Sequence, residues 1–392
     1  MRKNGVKKQL TEIQGGVCAP LGFSVNGVSC GLRETEREDL LLIRADSRCA
    51  CAYAYAQGEN VGAPVRFMKK RAEDYARAVI ANGGIANAYM QGGEIVARDI
   101  CRALSNKLLV REEEIAIAST GEIGELPLQP VLTKINELVD GLGTTDAHLQ
   151  SGARAITGRT EKEKYFAYSF ELGAYTCKIG GIIKGNMHVC PNMATTLCFL
   201  TTDVNIAPKL LQKAFSSAVQ TTLNLLNVDG VSSPNDFACI LANGRAGNYQ
   251  ISAVDTEYVK FANALHLVMA NVCEMIASSA TEKYAVCRVL GARSIKTAKE
   301  LARAMAGAQA VRRAIEQKTI SVEEFVCALC NVSERIVFEK LTLCVNGVVL
   351  LDGGRKNQVS PTVLERVMRD MKTEISISIG AGNYSATSVF CV

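Results

Sequence analysis

Ala194 and Thr195 stand at the end of a polar stretch that begins at Lys184-Gly185 and enters an apolar run at Leu197. A Thr hydroxyl is a weak nucleophile until a neighbouring base takes its proton. Cutting the chain between Ala194 and Thr195 would free an α-amine on the nucleophilic residue itself, and that amine can be the base. Acyl transfer further needs N–H or O–H donors aimed at the oxyanion. The turn Ser119-Thr120-Gly121 follows the short apolar segment Ile115–Ala118, and glycine lets backbone N–H groups approach a ligand closely. Thr120 and Gly121 are therefore the candidate oxyanion pair, and Lys184 is a candidate carboxylate anchor. His188 is one of three histidines, with His148 and His266, and no Ser-His-Asp order accompanies it. The plainer readings stay open beside these: Ala-Thr-Thr as a strand start, Ser-Thr-Gly as an ordinary turn, Lys184 as a solvated side chain.

The elements that must position these residues come from a chain of 392 residues, long enough for two or three lobes. Its 48% hydrophobic and 21% charged content is that of a soluble globular protein. The net charge of +5 is dispersed, with short basic clusters such as Lys7-Lys8 and Lys69-Lys70-Arg71, and there is no Trp, so no nucleic-acid partner is expected. The fifteen cysteines are odd in number and many sit in apolar runs, which predicts reduced, packed thiols and a cytoplasmic setting. Met1–Gly16 lacks a signal-peptide core, and the apolar run Leu265–Ala277 is interrupted and short for a bilayer, so no membrane association is expected. Cys327 and Cys330 have knuckle spacing without a second pair or a nearby His, so neither a metal nor an organic cofactor is expected. The Gly-rich Asn82–Ala88 loop lacks a Walker lysine and reads as a tight turn or an oxyanion-side loop.

Along the chain, strands are expected at Val17–Phe23, Leu40–Ala45, Ala50–Ala54 and Ile115–Ala118, with a hairpin from Phe166–Phe170 and Tyr175–Ile183. Helical spacing covers Lys69–Arg77, Gly93–Leu109, Leu126–Leu142, Ala207–Leu226 and Glu257–Ser278, and the pattern loosens through Thr144–Lys164. The last part alternates strands (Ala285–Leu290, Lys340–Leu350, Glu374–Ile379) with helices (Ile295–Ala306, Val322–Cys330, Pro361–Met371). The mixture predicts α/β or α+β architecture with layered sheets.

In family order, the chain carries Gly16-Val-Cys-Ala-Pro-Leu-Gly-Phe23, Asp39–Ile43, Asn82-Gly-Gly-Ile-Ala-Asn-Ala88 and Ala118-Ser-Thr-Gly-Glu-Ile-Gly124. Lys184-Gly…Pro191-Asn-Met-Ala-Thr195, Leu200-Thr-Thr-Asp203, Asp229-Gly…Asn235-Asp236 and Ser385-Ala-Thr387 follow. With these eight pieces the chain resembles the ornithine acetyltransferase (glutamate N-acetyltransferase) family of arginine biosynthesis over nearly its whole length. The resemblance implies self-cleavage before Thr195, then ping-pong transfer of an acetyl group from N-acetylornithine to glutamate through acetyl-Thr195. It implies Thr120 and Gly121 as the oxyanion pair, Lys184 and Thr195 as substrate-binding residues, and small amino acids as substrates. The fold it implies is a layered α/β/β/α sandwich with a smaller C-terminal α/β lobe. That gives residues 1–194 as the N-terminal chain, 195–284 as the start of the C-terminal chain, and 285–392 as the C-terminal lobe. The two cleaved chains are expected to stay together in a heterotetramer.

The chain also departs from the family. Thr157-Gly158-Arg159-Thr160 stands where the family has Thr-Thr-Asp-Thr, and Ser278 where it has a substrate-binding glutamate. Met187-His188 replaces Gly-Met in the key loop, the family's Asp-Pro-Asn-Trp-Gly-Arg segment has no match near Thr319–Glu324, and the C-terminal tail is absent. A substrate ammonium wants a carboxylate partner, and losing a desolvated one costs about 2–5 kcal/mol. Altered or weakened substrate choice follows as an expectation, with a non-catalytic assembly paralogue and a small-amide amidohydrolase or aminopeptidase as alternatives.

Overall fold

The computed structural model describes residues 10–56, 58–159, 161–185, 196–330, 332–333 and 335–392. These fall into two compact units, the first holding residues 10–185, 196–218 and 233–268, the second 219–232 and 269–392.

The first unit is built on a nine-stranded sheet. Its order is Thr11–Ile13, Lys164–Leu172, Tyr175–Lys184, Leu197–Thr202, Phe237–Ala242, Leu40–Tyr55, Tyr75–Asn82, Ile115–Ser119, with Phe23–Val28 also paired to Leu40–Tyr55. The two strands expected at Leu40–Ala45 and Ala50–Ala54 are one strand of 16 residues. Its register against Tyr75–Asn82 shifts between Arg44 and Cys49, and beyond the shift it pairs with Phe237–Ala242. A local break in register bends a strand. Residues from both ends of the sheet, such as Val25, Ile43 and Val79 with Ile182, Phe199 and Leu241, share one buried core. The central strands Leu197–Thr202 and Phe237–Ala242 are buried at every position, which explains their apolar character; the two exceptions, Thr201 and Thr202, donate their hydroxyls to the carbonyls of Val17 and Lys178.

Helices Gly93–Leu108, Leu128–Asp140 and Asp146–Ile156 bury their apolar faces into this unit. The last of them replaces the loosened pattern expected there. Its inward positions include Gly152 and Ala153, small because a Cβ on Gly152 would come within 2.6 Å of Val25. Helix Thr256–Ala280 is long and apolar enough, by length and composition alone, to cross a bilayer. Half of its most apolar stretch is buried in the fold, with Phe261, Leu265, Val268, Val272 and Ile276 recurring at helical spacing.

The second unit has a seven-stranded sheet ordered Arg355–Lys356, Val348–Asp352, Thr342–Val345, Lys372–Ser378, Tyr284–Ala292, Tyr384–Cys391, Leu226–Asn227. The single strand expected at Lys340–Leu350 is a hairpin. Asn346 and Gly347 both take positive φ (45° and 84°), the backbone of a tight Asn-Gly turn. Helices Ile295–Gly307, Gln309–Glu316 and Val322–Leu329 pack into its own core.

Candidate active site

Strand register gathers the first group of residues. Lys184 stands opposite Leu197 in the antiparallel pair, Leu197 is in register with Phe237 in the parallel pair, and Phe237 faces Tyr55. Lys184, Thr196 and Asp236 therefore leave the sheet at the same end of three adjacent strands. The Thr196 N–H donates to Asp236 Oδ1 at 2.6 Å, and the Phe237 N–H donates to the Thr196 carbonyl at 3.1 Å. Asp236 is completely buried, and its Oδ2 has no hydrogen-bond partner among the described residues. Burial pushes its carboxyl well above the usual carboxylate range, against the opposing pull of the Thr196 N–H and the Lys184 charge.

Lys184 is half-buried. Burial lowers the pKa of its ammonium, Glu161 and Asp236 pull it back up, and Arg33 adds to the lowering. Lys164, on the neighbouring strand, is buried, donates from Nζ to the Gly185 carbonyl at 3.1 Å and lies 3.9 Å from Glu161 Oε2. Burial lowers its pKa too, with Glu161 opposing and Lys184 reinforcing. The stretch from Asn186 to Thr195 is thus bracketed by two fixed ends, the Gly185 carbonyl and the Thr196 N–H. His188, Ala194 and Thr195 themselves lie outside the described residues.

The second group is the turn after Ile115–Ser119. Ser119 pairs with Asn82 across parallel strands, and the Thr120 N–H donates to the Asn82 carbonyl at 2.9 Å. Thr120 is buried and Gly121 exposed. Gly121 has φ of +133°, and a Cβ on it would lie 2.1 Å from the Gly84 backbone. The Glu122 N–H donates to the Gly84 carbonyl at 2.9 Å and the Ala86 N–H to the Glu122 carbonyl at 2.7 Å, so the Asn82–Ala88 loop lies directly against the Thr120-Gly121 turn. Asn82 Nδ2 holds that loop by donating to the carbonyls of Ile85 at 2.7 Å and Gly83 at 3.1 Å.

One dipeptide joins the two groups. Asn235 Nδ2 donates to the Ser119 carbonyl at 2.9 Å and to the Ala86 carbonyl, while its neighbour Asp236 holds Thr196. Sequence reasoning noticed Asn235-Asp236 without giving either residue a task, and it passed over Lys164. A polar pair immediately before the apolar strand Phe237–Ala242 is the signal that was available, since polar side chains at the mouth of a buried strand need partners.

The other candidates are elsewhere. His148 Nδ1 lies 2.6 Å from Thr145 Oγ1 at an exposed helix start. His266 is on the Thr256–Ala280 helix, where burial lowers its pKa. Ser278, also on that helix, is exposed and donates to the Met275 carbonyl at 3.2 Å. Cys327 and Cys330 are exposed in the second unit. Among the described residues no group of three His, Cys, Asp or Glu side chains is placed to hold a metal ion.

A mixed α/β fold on two sheets, with a hydroxyl-and-glycine turn tied to the strand that follows an Ala-Thr bond, has the layout of an acyl-transfer site. The chain belongs to the ArgJ family, whose model matches residues 24–391. It is similar to the arginine biosynthesis bifunctional protein ArgJ of Symbiobacterium thermophilum, 31% identical over 97% of this chain and 96% of that one. The Lactococcus lactis protein of the same name is 34% identical over 78% of this chain and 77% of its own length. Among solved structures, an ornithine acetyltransferase of Mycobacterium tuberculosis complexed with ornithine is 25% identical, with a TM-score of 0.42, covering 46% of this chain and 98% of that chain.

Proposed function

We propose that this chain is a self-cleaving acetyltransferase of arginine biosynthesis with Thr195 as nucleophile, Thr120 and Gly121 as oxyanion donors and Lys184 as carboxylate anchor. Thr195 Oγ attacks the Ala194 carbonyl, the peptide N–C bond breaks, and water hydrolyses the resulting ester to leave a free Thr195 α-amine. That amine then takes the Oγ proton as the hydroxyl attacks the acetyl carbonyl of N-acetylornithine, and ornithine departs with the proton. Glutamate attacks the acetyl-Thr ester through its own amine and leaves as N-acetylglutamate. The substrates are small amino acids, each bringing a carboxylate to the half-buried Lys184. The two product chains, residues 1–194 and 195–392, remain associated, two copies of each making a heterotetramer. None of the described cysteines is in a disulfide, in keeping with a cytoplasmic setting.

The observation that carries this reading is the link through Asn235-Asp236, which binds the flank of the oxyanion turn to the residue following Thr195 within one unit. Intact-mass measurement of purified protein is the test. Two fragments split between Ala194 and Thr195 are expected, and none in Thr195→Ala; a single wild-type chain that stays uncut for days sinks the reading.

A second reading, a non-catalytic paralogue, draws on Ser278, whose hydroxyl is turned back onto its own helix where the family places a substrate carboxylate. Acetyl transfer from N-acetylornithine to glutamate that vanishes in Thr195→Ala rules it out.

A further inference from the structure

We propose that Asp236 is a positioning residue for the Thr195 nucleophile, with Oδ1 fixing the peptide at Thr196 and Oδ2 reserved for the α-amine that self-cleavage frees. The inference rests on the reading of Thr195 given above and extends it to a residue with no assigned role.

The physical case begins with an imbalance. A carboxylate has two oxygens and about four acceptor sites, and Asp236 uses Oδ1 for one short bond to Thr196. Oδ2 is buried without a partner among the described residues, which is costly unless a donor arrives at some stage of the protein's life. Covalent geometry says which donor can arrive. The nitrogen of residue 195 is joined to the nitrogen of Thr196 through three bonds, a path of only about 4 Å. Once it is a chain end, rotation about the Cα–C bond of residue 195 lets that amine reach the carboxylate that already grips Thr196. Before the cut that nitrogen is an amide with one N–H. Afterwards it is an amine with additional hydrogens, one of which Oδ2 can accept, turning the lone pair toward Oγ.

The surroundings fit this task. Asp236 is held from behind by the Ala56 N–H on its own carbonyl at 2.9 Å, and by Asn235, whose side chain is locked on Ser119 and Ala86. The carboxylate thus shares its backbone anchor with the oxyanion turn, so the base and the oxyanion donors are set by one rigid dipeptide. Lys184 is the charged group that acts on Asp236, and Glu161 and Arg33 act on Lys184. Burial alone holds the Asp236 carboxyl up, and an ammonium freed beside it draws it back toward the charged form. That charge in turn favours the ammonium while Lys184 opposes it, so removing the Asp236 carboxylate lowers the amine's pKa.

The test compares wild type, Asp236→Asn and Thr195→Ala for self-cleavage by intact mass, and then kcat, KM and the pH profile of acetyl transfer on cut protein. Asp236→Asn keeps an oxygen for Thr196 and loses the charge. Expected are slowed cleavage, a fall in kcat of about 100-fold with KM changed less than about threefold, and an acidic limb of kcat moved to lower pH. Should Asp236→Asn fail to fold, Asp236→Ser, smaller than the residue it replaces, is expected to give the same split. Cut variant with wild-type kcat and an unmoved limb overturns this proposal alone. Wild type that neither cuts nor transfers overturns the Thr195 reading and this proposal with it.

Discussion

Asn235 and Ser119 are 116 positions apart in sequence, yet the Asn235 side-chain amide donates to the Ser119 carbonyl at 2.9 Å, both groups buried. Ser119 immediately precedes Thr120-Gly121, the proposed oxyanion pair, and Asn235 immediately precedes the residue that fixes Thr196. Losing the donor leaves two buried carbonyls, those of Ser119 and Ala86, without it. Asn235→Ala is expected to cost about 2–4 kcal/mol in urea unfolding, from about 1–3 kcal/mol per orphaned group with partial relaxation. It should also slow self-cleavage, read as the half-time for fragment formation. A variant that cuts at the wild-type rate would separate the bond from the site.

Gly62 reaches the same residue from another side. A Cβ on Gly62 would sit 1.7 Å from Asn235 Oδ1. Gly62→Ala must therefore push Asn235 off its two carbonyls, and overpacking of this kind costs about 1–3 kcal/mol. Slower fragment formation together with a lowered Tm is expected. An unchanged cleavage half-time would show that Asn235 can move without consequence for the site.

Gly121 is required for its conformation as well as its size. With φ at +133° and a hypothetical Cβ 2.1 Å from the Gly84 backbone, Gly121→Ala forces the turn to open. Strain alone is worth about 1–3 kcal/mol. Full-length, uncut protein is the expected product by mass, and a cut Gly121→Ala would remove Gly121 from the oxyanion pair.

Lys164 holds the Gly185 carbonyl, the fixed end from which the chain runs toward Thr195. Lys164→Met removes a buried ammonium along with its hydrogen bond, and it leaves the nearly buried Glu161 without the cation 3.9 Å away, which is destabilising. A stability loss of about 3 kcal/mol is expected, with cleavage in the folded variant slowed about tenfold because the Gly185 carbonyl loses its anchor. Cleavage at the wild-type rate in the folded variant would make Lys164 a structural residue only.

The pH dependence of stability has a clear contributor in Glu38. Arg154 donates to both its oxygens, at 2.7 and 2.9 Å. Burial raises the Glu38 pKa and the Arg154 bonds lower it, with a net fall below 4.5. A depressed carboxyl stabilises the fold above its unfolded pKa and loses that contribution as pH falls through the native value. Side chains 34% and 21% exposed keep the gain to about 1 kcal/mol. The stability difference between wild type and Glu38→Gln should therefore be present at pH 7 and shrink below about pH 4. A difference that grows on acidification contradicts the assignment.

Much of the fold was legible because local patterns and tertiary demands agreed. The hairpin Lys164–Leu172 with Tyr175–Lys184 and the helices Gly93–Leu108 and Ile295–Gly307 fall where their periodicity put them. The helix Asp146–Ile156 did not, because its inner face is made of residues such as Gly152 and Ala153 that carry little apolar signal. They are small to let Val25 and Leu41 approach, and that requirement belongs to the partner strands. The charged middle of Leu40–Tyr55 read as a break, yet pairing on both sides carries the strand through it. Asn346-Gly347 is the local signal that divides Lys340–Leu350 into a hairpin, since both residues take the positive φ of a tight turn.

The sequence by itself determined the types of group available: an Ala-Thr bond, a Thr-Gly turn and a lysine before a glycine. It determined the family as well, since several short motifs in fixed order are specific where each alone is not. Only the tertiary structure decided that Asn235 and Asp236 connect these groups, and that Lys164 and Asp236 fix the two ends flanking Asn186–Thr195. Those contacts span 21 to 116 residues, and hydrogen bonds of that reach follow from sheet register, which no local spacing encodes.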